Sequence, residues 1–533
     1  MHPHALHTAY LAACVGWHVR SLHRSRLRLP QTSSSTTDKR VRRPVPSGTS
    51  GGHNEAVSSP RRVACLFLSR FRQSLYYSYS CNDGRLVAPP PTLWSRSKKG
   101  GDANALRPTP DSPISATMAQ APGADDGAYV RRTYAHFLRV GVEQDGVAEG
   151  IEHTRHKHAP PEWDAQVRCR ILEGDALQSD LALHETLDRF GFYDASPMHA
   201  RKEPLVLPLK PGSAPSADAV HAARQRLAAQ RRRRDARRVQ KWQKMLRFAG
   251  GKATLDGVSP QVVRRRVYKG IPEAWRGAAW RVLAQCPDAS SPAALLATPS
   301  AHDIQIDLDI PRTIRGHVHF RTRYGRGQCD LFTVLHAASL TCKECGYCQG
   351  MGPLAAILLL YMVPEDAYAM MTQLHTTYAF HGLFRPGFPG LREELYVLRT
   401  LLAEHAPRAT AALEAFGVAP SAFATGWYMT LFSGVLPFPT QLRLWDAFLL
   451  DGHDVVTLAA VAIVQTLEPR LSTPPTDWLV EALSAPILPE DDDAFLHWIG
   501  TRVHEPRTAH AIRDARRAWA AHCAAGTADA EFL

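Results

Sequence analysis

The chain has 533 residues, enough for one large domain or two or three ordinary ones, and its 45% hydrophobic content is that of a globular protein. Its net charge of +13 suggests nucleic acid at first sight, but residues 1–117 hold 17 Lys/Arg against 5 Asp/Glu, leaving the remainder near neutral, so no nucleic-acid partner is expected. Ten cysteines and no evident cleavable leader speak against a disulfide framework and for a reducing, cytoplasmic compartment; no apolar run reaches the roughly 18 residues of a membrane span.

Residues 1–117 are rich in Ser, Pro, Arg and His and lack sustained apolar periodicity. Too little apolar area is present to offset ordering entropy, so disorder is expected. The first 37 residues carry no acid and are loosely presequence-like. A second possibility is a translation start at Met118, with 1–117 a gene-model extension. Residues 118–215 are expected to form an N-terminal accessory region, broken at Pro160-Pro161 and ending in a linker from Pro204 to Pro215. Residues 216–250 predict a basic helix, bearing Arg224, Arg226, Arg231 to Arg234, Arg237, Arg238, Lys241 and Lys244. Its apolar side (Leu227, Val239, Trp242, Met245, Leu246) is thin. A solvated helix leading into the next domain is favoured over a surface for anionic lipid or an acidic partner.

Helical periodicity dominates residues 260–475, with no series of alternating strands, and the fold class expected is all-α. Gly250-Gly251-Lys252-Ala253 lacks the hydroxyl of a phosphate-binding loop, so the chain is not expected to hold a nucleotide itself. Lys269-Gly270-Ile271-Pro272, followed by Arg276 and Trp280, reads as a turn and a helix start. Ile306, Asp309 and Arg312 give an I-x-x-D-x-x-R pattern, in which the carboxylate is spaced to pair with the guanidinium. A held, always-charged planar fork suits a phosphate-directed role; the plain alternative is a surface ion pair.

Leu331, Phe332, Leu335, Ala338 and Cys342 predict one apolar helix face. In Cys342-Lys-Glu-Cys345-Gly346-Tyr347-Cys348-Gln349-Gly350-Met351 the glycines suggest a tight turn between helices, with Gln349 at a helix end. A carboxamide both donates and accepts, and can orient a water. The cysteines at 342, 345 and 348 resemble part of an iron–sulfur or zinc site. A fourth ligand is not evident, since Cys329 and His336 fall on or before the preceding helix, and no metal is expected. Leu354 to Val363 predicts a core helix, and Pro353 and Pro364 each suit a helix start. Trp427 to Phe432 and Leu442 to Phe448 read as core, with Arg443 and Asp446 spaced to pair on one turn. Leu458 to Leu467 predicts another helix, and 476–533 a C-terminal helical cap and tail.

Taken in order, K-G-I-P…R…W, I-x-x-D-x-x-R-T, G-Y-C-Q-G-M and L-R-L-W-D-x-F-x-x-x-G resemble the TBC domain of Rab GTPase-activating proteins, over roughly Val267 to Thr473. Residues 317–328 and 427–452 are especially similar to fungal members. The resemblance implies a two-lobed helical domain whose groove docks a GTP-bound Rab and stimulates its GTP hydrolysis with two fingers supplied in trans. By motif position these are Arg312 and Gln349, supported by Asp309 and Tyr347, with Ile306, Gly346 and Gly350 completing the motifs. Arg443, Trp445 and Asp446 match a third, largely structural motif. The resemblance further implies no cofactor of its own, GTP and Mg2+ being carried by the partner, a role in vesicle traffic, and peripheral association with endomembranes from the cytoplasm. The alternative is a non-catalytic Rab-binding scaffold or tethering module.

Overall fold

Ser216 begins the longest helix by accepting a hydrogen bond from Ala219 N on its hydroxyl, at 3.2 Å. The computed structural model describes residues 127–142, 187–193, 204–209, 215–249, 252–288, 290–471 and 478–528. The 1–117 segment and the Pro160-Pro161 break lie outside the described residues. In chain order the described elements are α1 (Ala128–Val140), β1 (Leu205–Leu207), α2 (Ala217–Met245), β2 (Arg247–Ala249), β3 (Lys252–Thr254), α3 (Pro260–Tyr268) and α4 (Glu273–Leu283). Then come α5 (Asp303–Asp309), a 3-10 turn Ile310–Arg312, α6 (Val318–Arg321), α7 (Arg326–Thr341), α8 (Met351–Leu359), α9 (Pro364–Thr376) and α10 (Phe380–Phe384). The remainder is α11 (Pro389–His405), α12 (Pro407–Ala415), α13 (Ser421–Met429), α14 (Phe438–Asp451), α15 (His453–Gln465), α16 (Trp478–Leu483), β4 (Ile487–Pro489), α17 (Asp492–Val503) and α18 (Pro506–Ala524).

The fold is all-α, as expected, and its helices form two groups. One surrounds α7, which touches α1, α5, α6, α8 and α9; the other surrounds α15, which touches α11, α13, α14 and α17. The predicted single apolar face of α7 understates its burial: Thr333, Val334 and His336 are as buried as Leu331 and Leu335. A helix enclosed on all sides keeps polar groups only where they find partners. His336 Nδ1 meets Asp303 Oδ1 at 2.6 Å and Nε2 meets Leu295 O at 3.0 Å. Gln328 Nε2 donates to Phe320 O at 2.8 Å. Pro364 opens α9 as predicted. Pro353 instead sits inside the first turn of α8, where its missing N–H costs no intrahelical bond.

Helix α1, far ahead of the motif region, is built into the α7 group. Arg131 Nη1 lies 2.5 Å from the fully buried Asp303, Tyr134 donates to Asp307 at 2.8 Å, and the Tyr134 ring stacks on Phe332 at 4.0 Å. Pro204 to Pro215, expected to be a linker, contains β1, which pairs in parallel with β4 because the alternating Leu205 and Leu207 are buried there. The basic helix α2 keeps Arg226, Arg237 and Lys241 exposed, but it is not a free strut. Arg224 donates to Pro489 O and Asp492 Oδ1, both at 2.6 Å, and Trp242 is buried.

Candidate functional site

Helix α5 is a short, acid-rich segment whose aspartates face inward. Asp307 receives Arg323 Nη2 at 2.6 Å as well as Tyr134, while Asp303 receives Arg131 and His336. Ile306 is fully buried between them. With both ends of α5 anchored, the 3-10 turn that follows is held in place, and Arg312 emerges from it exposed to solvent. The expected Asp309–Arg312 pair does not form; among the described residues Arg312 has no ion pair. Asp309 is turned inward, 4% exposed, where it accepts Gln305 Nε2 at 3.1 Å and the Tyr347 hydroxyl at 3.0 Å. Burial raises its carboxyl above the ordinary aspartate range, opposed by those two donors and by the nearby positive charge of Arg312.

The second segment crosses the same helix. Gly346 has φ +51, and a Cβ there would lie 2.0 Å from His302 Nε2, at the start of α5. Only glycine admits that approach without displacing the ring. Tyr347 is buried and reaches Asp309. Gly352 sits where a Cβ would lie 3.1 Å from the Thr313 hydroxyl, directly after Arg312. Gly350 is pressed against Met429 and Phe384 in the same way. Gln349, between these fixed points, lies in the turn before α8 with its side chain exposed. The turn thus follows the glycine pattern, and the exposed Arg312 and Gln349 are carried by segments that touch at three places.

The third motif is structural. Asp446 is fully buried and accepts Trp280 Nε1 at 2.8 Å, Arg276 Nε at 3.1 Å and Ile271 N at 3.2 Å, while Arg276 Nη2 donates to Ile271 O at 2.7 Å. One carboxylate therefore joins the K-G-I-P turn to the L-R-L-W-D helix. Trp445 is buried and donates to Leu431 O at 3.0 Å. The expected Arg443–Asp446 pair is absent. Arg443 instead meets Asp493 at 2.5 Å and Tyr268 O at 2.8 Å, while the Asp446 carboxylate is taken up by Arg276, Trp280 and Ile271 N.

The cysteine triplet also divides. Cys348 is buried beside the Gln349 turn, whereas Cys342 and Cys345 face His375 and His381. Cys329, once considered as a fourth ligand, donates to Tyr324 O. Sequence reasoning missed His302, Gln305, Arg131 and Tyr134 as supports of the α5 turn. The legible signal was the acid spacing at 303, 307 and 309 in a helix too apolar elsewhere to be a surface element. A cavity of about 1100 Å3, lined in part by Arg234, Arg238, Arg264, Lys269 and Arg443, lies between α2, α3 and α17 and shares no residue with the two segments. Burial and the adjacent Arg443 lower the pKa of Arg238 there.

Residues 273–472 match the family model of the Rab-GTPase-TBC domain. A TBC domain-containing protein of Schizosaccharomyces pombe is 36% identical over 49% of this chain and 65% of its own length. Carabin of Mus musculus is 34% identical over 42% of this chain and 52% of its own length. The Rab GTPase-activating protein tbc-11 of Caenorhabditis elegans is 30% identical over 38% of this chain and 23% of its own length. The chain thus spans less than two thirds of each of these relatives.

Proposed function

We propose that this chain is a GTPase-activating protein for a Rab-type small GTPase, acting on vesicle traffic, with Arg312 and Gln349 as fingers inserted beside the GTP carried by the partner. The match of residues 273–472 to the Rab-GTPase-TBC domain supports the partner class. The observation that carries the finger assignment is the Tyr347–Asp309 hydrogen bond, which holds two segments together while each presents an exposed polar side chain.

Phosphoryl transfer spreads negative charge over the equatorial oxygens and requires an in-line water. Arg312 supplies a planar cation to that charge, and Gln349 donates to one group while accepting from the water. Neither side chain is paired away within the described residues, so neither must break a bond in order to reach. The turns beneath them are pinned by buried contacts, which limits the reorganisation needed on docking. GTP and Mg2+ arrive with the GTPase, and the chain acts from the cytoplasm as a peripheral visitor to endomembranes. Among the described residues no helix is long and apolar enough to cross a membrane.

Single-turnover hydrolysis across a panel of GTP-loaded Rab proteins tests this. Acceleration of at least one Rab, lost in Arg312→Ala and in Gln349→Ala, is the expected result. Tight binding of GTP-loaded Rab with no acceleration would replace the reading with a scaffold, and full activity in both variants would remove the finger assignment.

A further inference from the structure

Four side chains beside the Gln349 turn converge on one point. Cys342 ends α7, Cys345 lies in the turn after it, His375 is in the last turn of α9 and His381 is near the start of α10. His375 Nε2 and His381 Nδ1 are 3.2 Å apart, and each lies 3.4 Å from Cys345 Sγ. Cys342 Sγ is 3.7 Å from His381 Nδ1, and all four atoms fall within 4.8 Å of one another. A tetrahedral zinc with bonds of about 2.3 Å to sulfur and about 2.0–2.1 Å to nitrogen requires edges of roughly 3.3 Å between nitrogens and roughly 3.5 Å between nitrogen and sulfur. The four distances given above, 3.2 to 3.7 Å, are close to the edges of such a tetrahedron.

We propose that Cys342, Cys345, His375 and His381 form a structural zinc site. The spacing is C-x2-C followed by H-x5-H, within the range of structural zinc motifs. Two thiolates and two imidazoles select a borderline-soft, tetrahedral ion over magnesium or calcium. His381 turns its other nitrogen, Nε2, toward Glu344 at 3.4 Å, the carboxylate–histidine relationship that orients zinc-binding imidazoles. With four protein ligands the site is closed, so its role is mechanical. It ties the turn that leads into Tyr347 and Gln349 to α9 and α10.

The test uses the full chain purified under reducing conditions without added metal, so it does not depend on the proposed GTPase activation. Elemental analysis after dialysis is expected to find about one zinc per chain. Replacement by cobalt should give the visible bands of a tetrahedral ion and thiolate-to-cobalt charge transfer. Cys342→Ser/Cys345→Ser and His381→Asn should lose the metal, and Cys348→Ser should keep it. If the ligand variants fail to fold, the wild-type cobalt spectrum decides. Substoichiometric zinc with no thiolate band in the wild type, a Cys342–Cys345 disulfide in its place, or undiminished zinc in a folded double variant would each overturn the site. Loss of metal in Cys348→Ser would overturn the choice of ligands in favour of the three-cysteine set.

Discussion

The Tyr347 hydroxyl donates to Asp309 Oδ2 at 3.0 Å across 38 residues of sequence, and it is the one side-chain hydrogen bond joining the Arg312 segment to the Gln349 segment among the described residues. Asp309 has Gln305 as its other side-chain donor. Tyr347→Phe leaves a buried carboxylate short of a partner, at a cost of about 1–3 kcal/mol. If about 1.4 kcal/mol of that appears in the barrier, the hydrolysis this chain stimulates on the Rab slows about tenfold. Paired single-turnover rates and denaturant midpoints measure the two parts.

Arg312 is predicted to separate activity from stability. Its side chain is exposed and unpaired among the described residues, so Arg312→Ala should leave unfolding within about 0.5 kcal/mol of wild type. An arginine finger is worth about 10³–10⁵ in rate, which is about 4–7 kcal/mol of barrier. Arg312→Lys should recover little, since an ammonium lacks the planar fork. A rate within tenfold of wild type in either variant would contradict the assignment.

Asp446 should behave in the opposite way. Asp446→Ala leaves Arg276 buried without its principal counter-charge and deprives Trp280 and Ile271 of an acceptor. Breaking one side of a buried pair costs about 3–5 kcal/mol. Urea unfolding should show that loss, with Rab stimulation per folded molecule retained when assayed well below the new midpoint.

Helix α1 gives a fourth test. Arg131→Ala removes the guanidinium from the fully buried Asp303, and Tyr134→Phe removes a donor from Asp307. Arg131→Ala is expected to cost about 3–5 kcal/mol and Tyr134→Phe about 1–3 kcal/mol. Both bear on α5, so amide exchange should rise first along residues 303–312. A chain shortened to begin at residue 143 should show both effects together.

His317 predicts a pH dependence. Burial lowers its pKa from 6.5 to about 4, and Nε2–H donates to Phe190 O while Nδ1 accepts from His319 N. The folded value lies below the unfolded one. The neutral ring's contribution is therefore complete above about pH 6.5 and is lost as pH falls toward 4, with a slope of at most about 1.36 kcal/mol per unit. His317→Gln should flatten that part of the stability profile, as measured by chemical unfolding at pH 7 and pH 5.

Much of this was legible before coordinates, and the reasons are local. Glycines at 346 and 350, Pro364 and the apolar content of α7 and α15 each announce their element through backbone freedom, fixed φ or periodicity. What sequence reasoning misassigned were partners. It paired Asp309 with Arg312 and Asp446 with Arg443 because residues three apart can meet on a helix. Both aspartates instead face donors some 38 and 170 residues away. Local spacing sets which pairs are possible; burial decides between them, and burial is a property of the assembled chain. The same limit hid His375 and His381 from the cysteines 30 or more residues earlier.

The parallel pairing of Leu205–Leu207 with Ile487–Pro489 has a consequence for biosynthesis. Leu209 N also reaches Glu490 across 281 residues. A nascent polypeptide therefore carries β1 without its companion until the 281 residues between Leu209 and Glu490 have been added, which takes about a minute at 5 residues per second or about 14 s at 20 residues per second. Closure of this long loop is a late event, which makes the segment around residue 205 the place where chaperone capture during synthesis is to be sought.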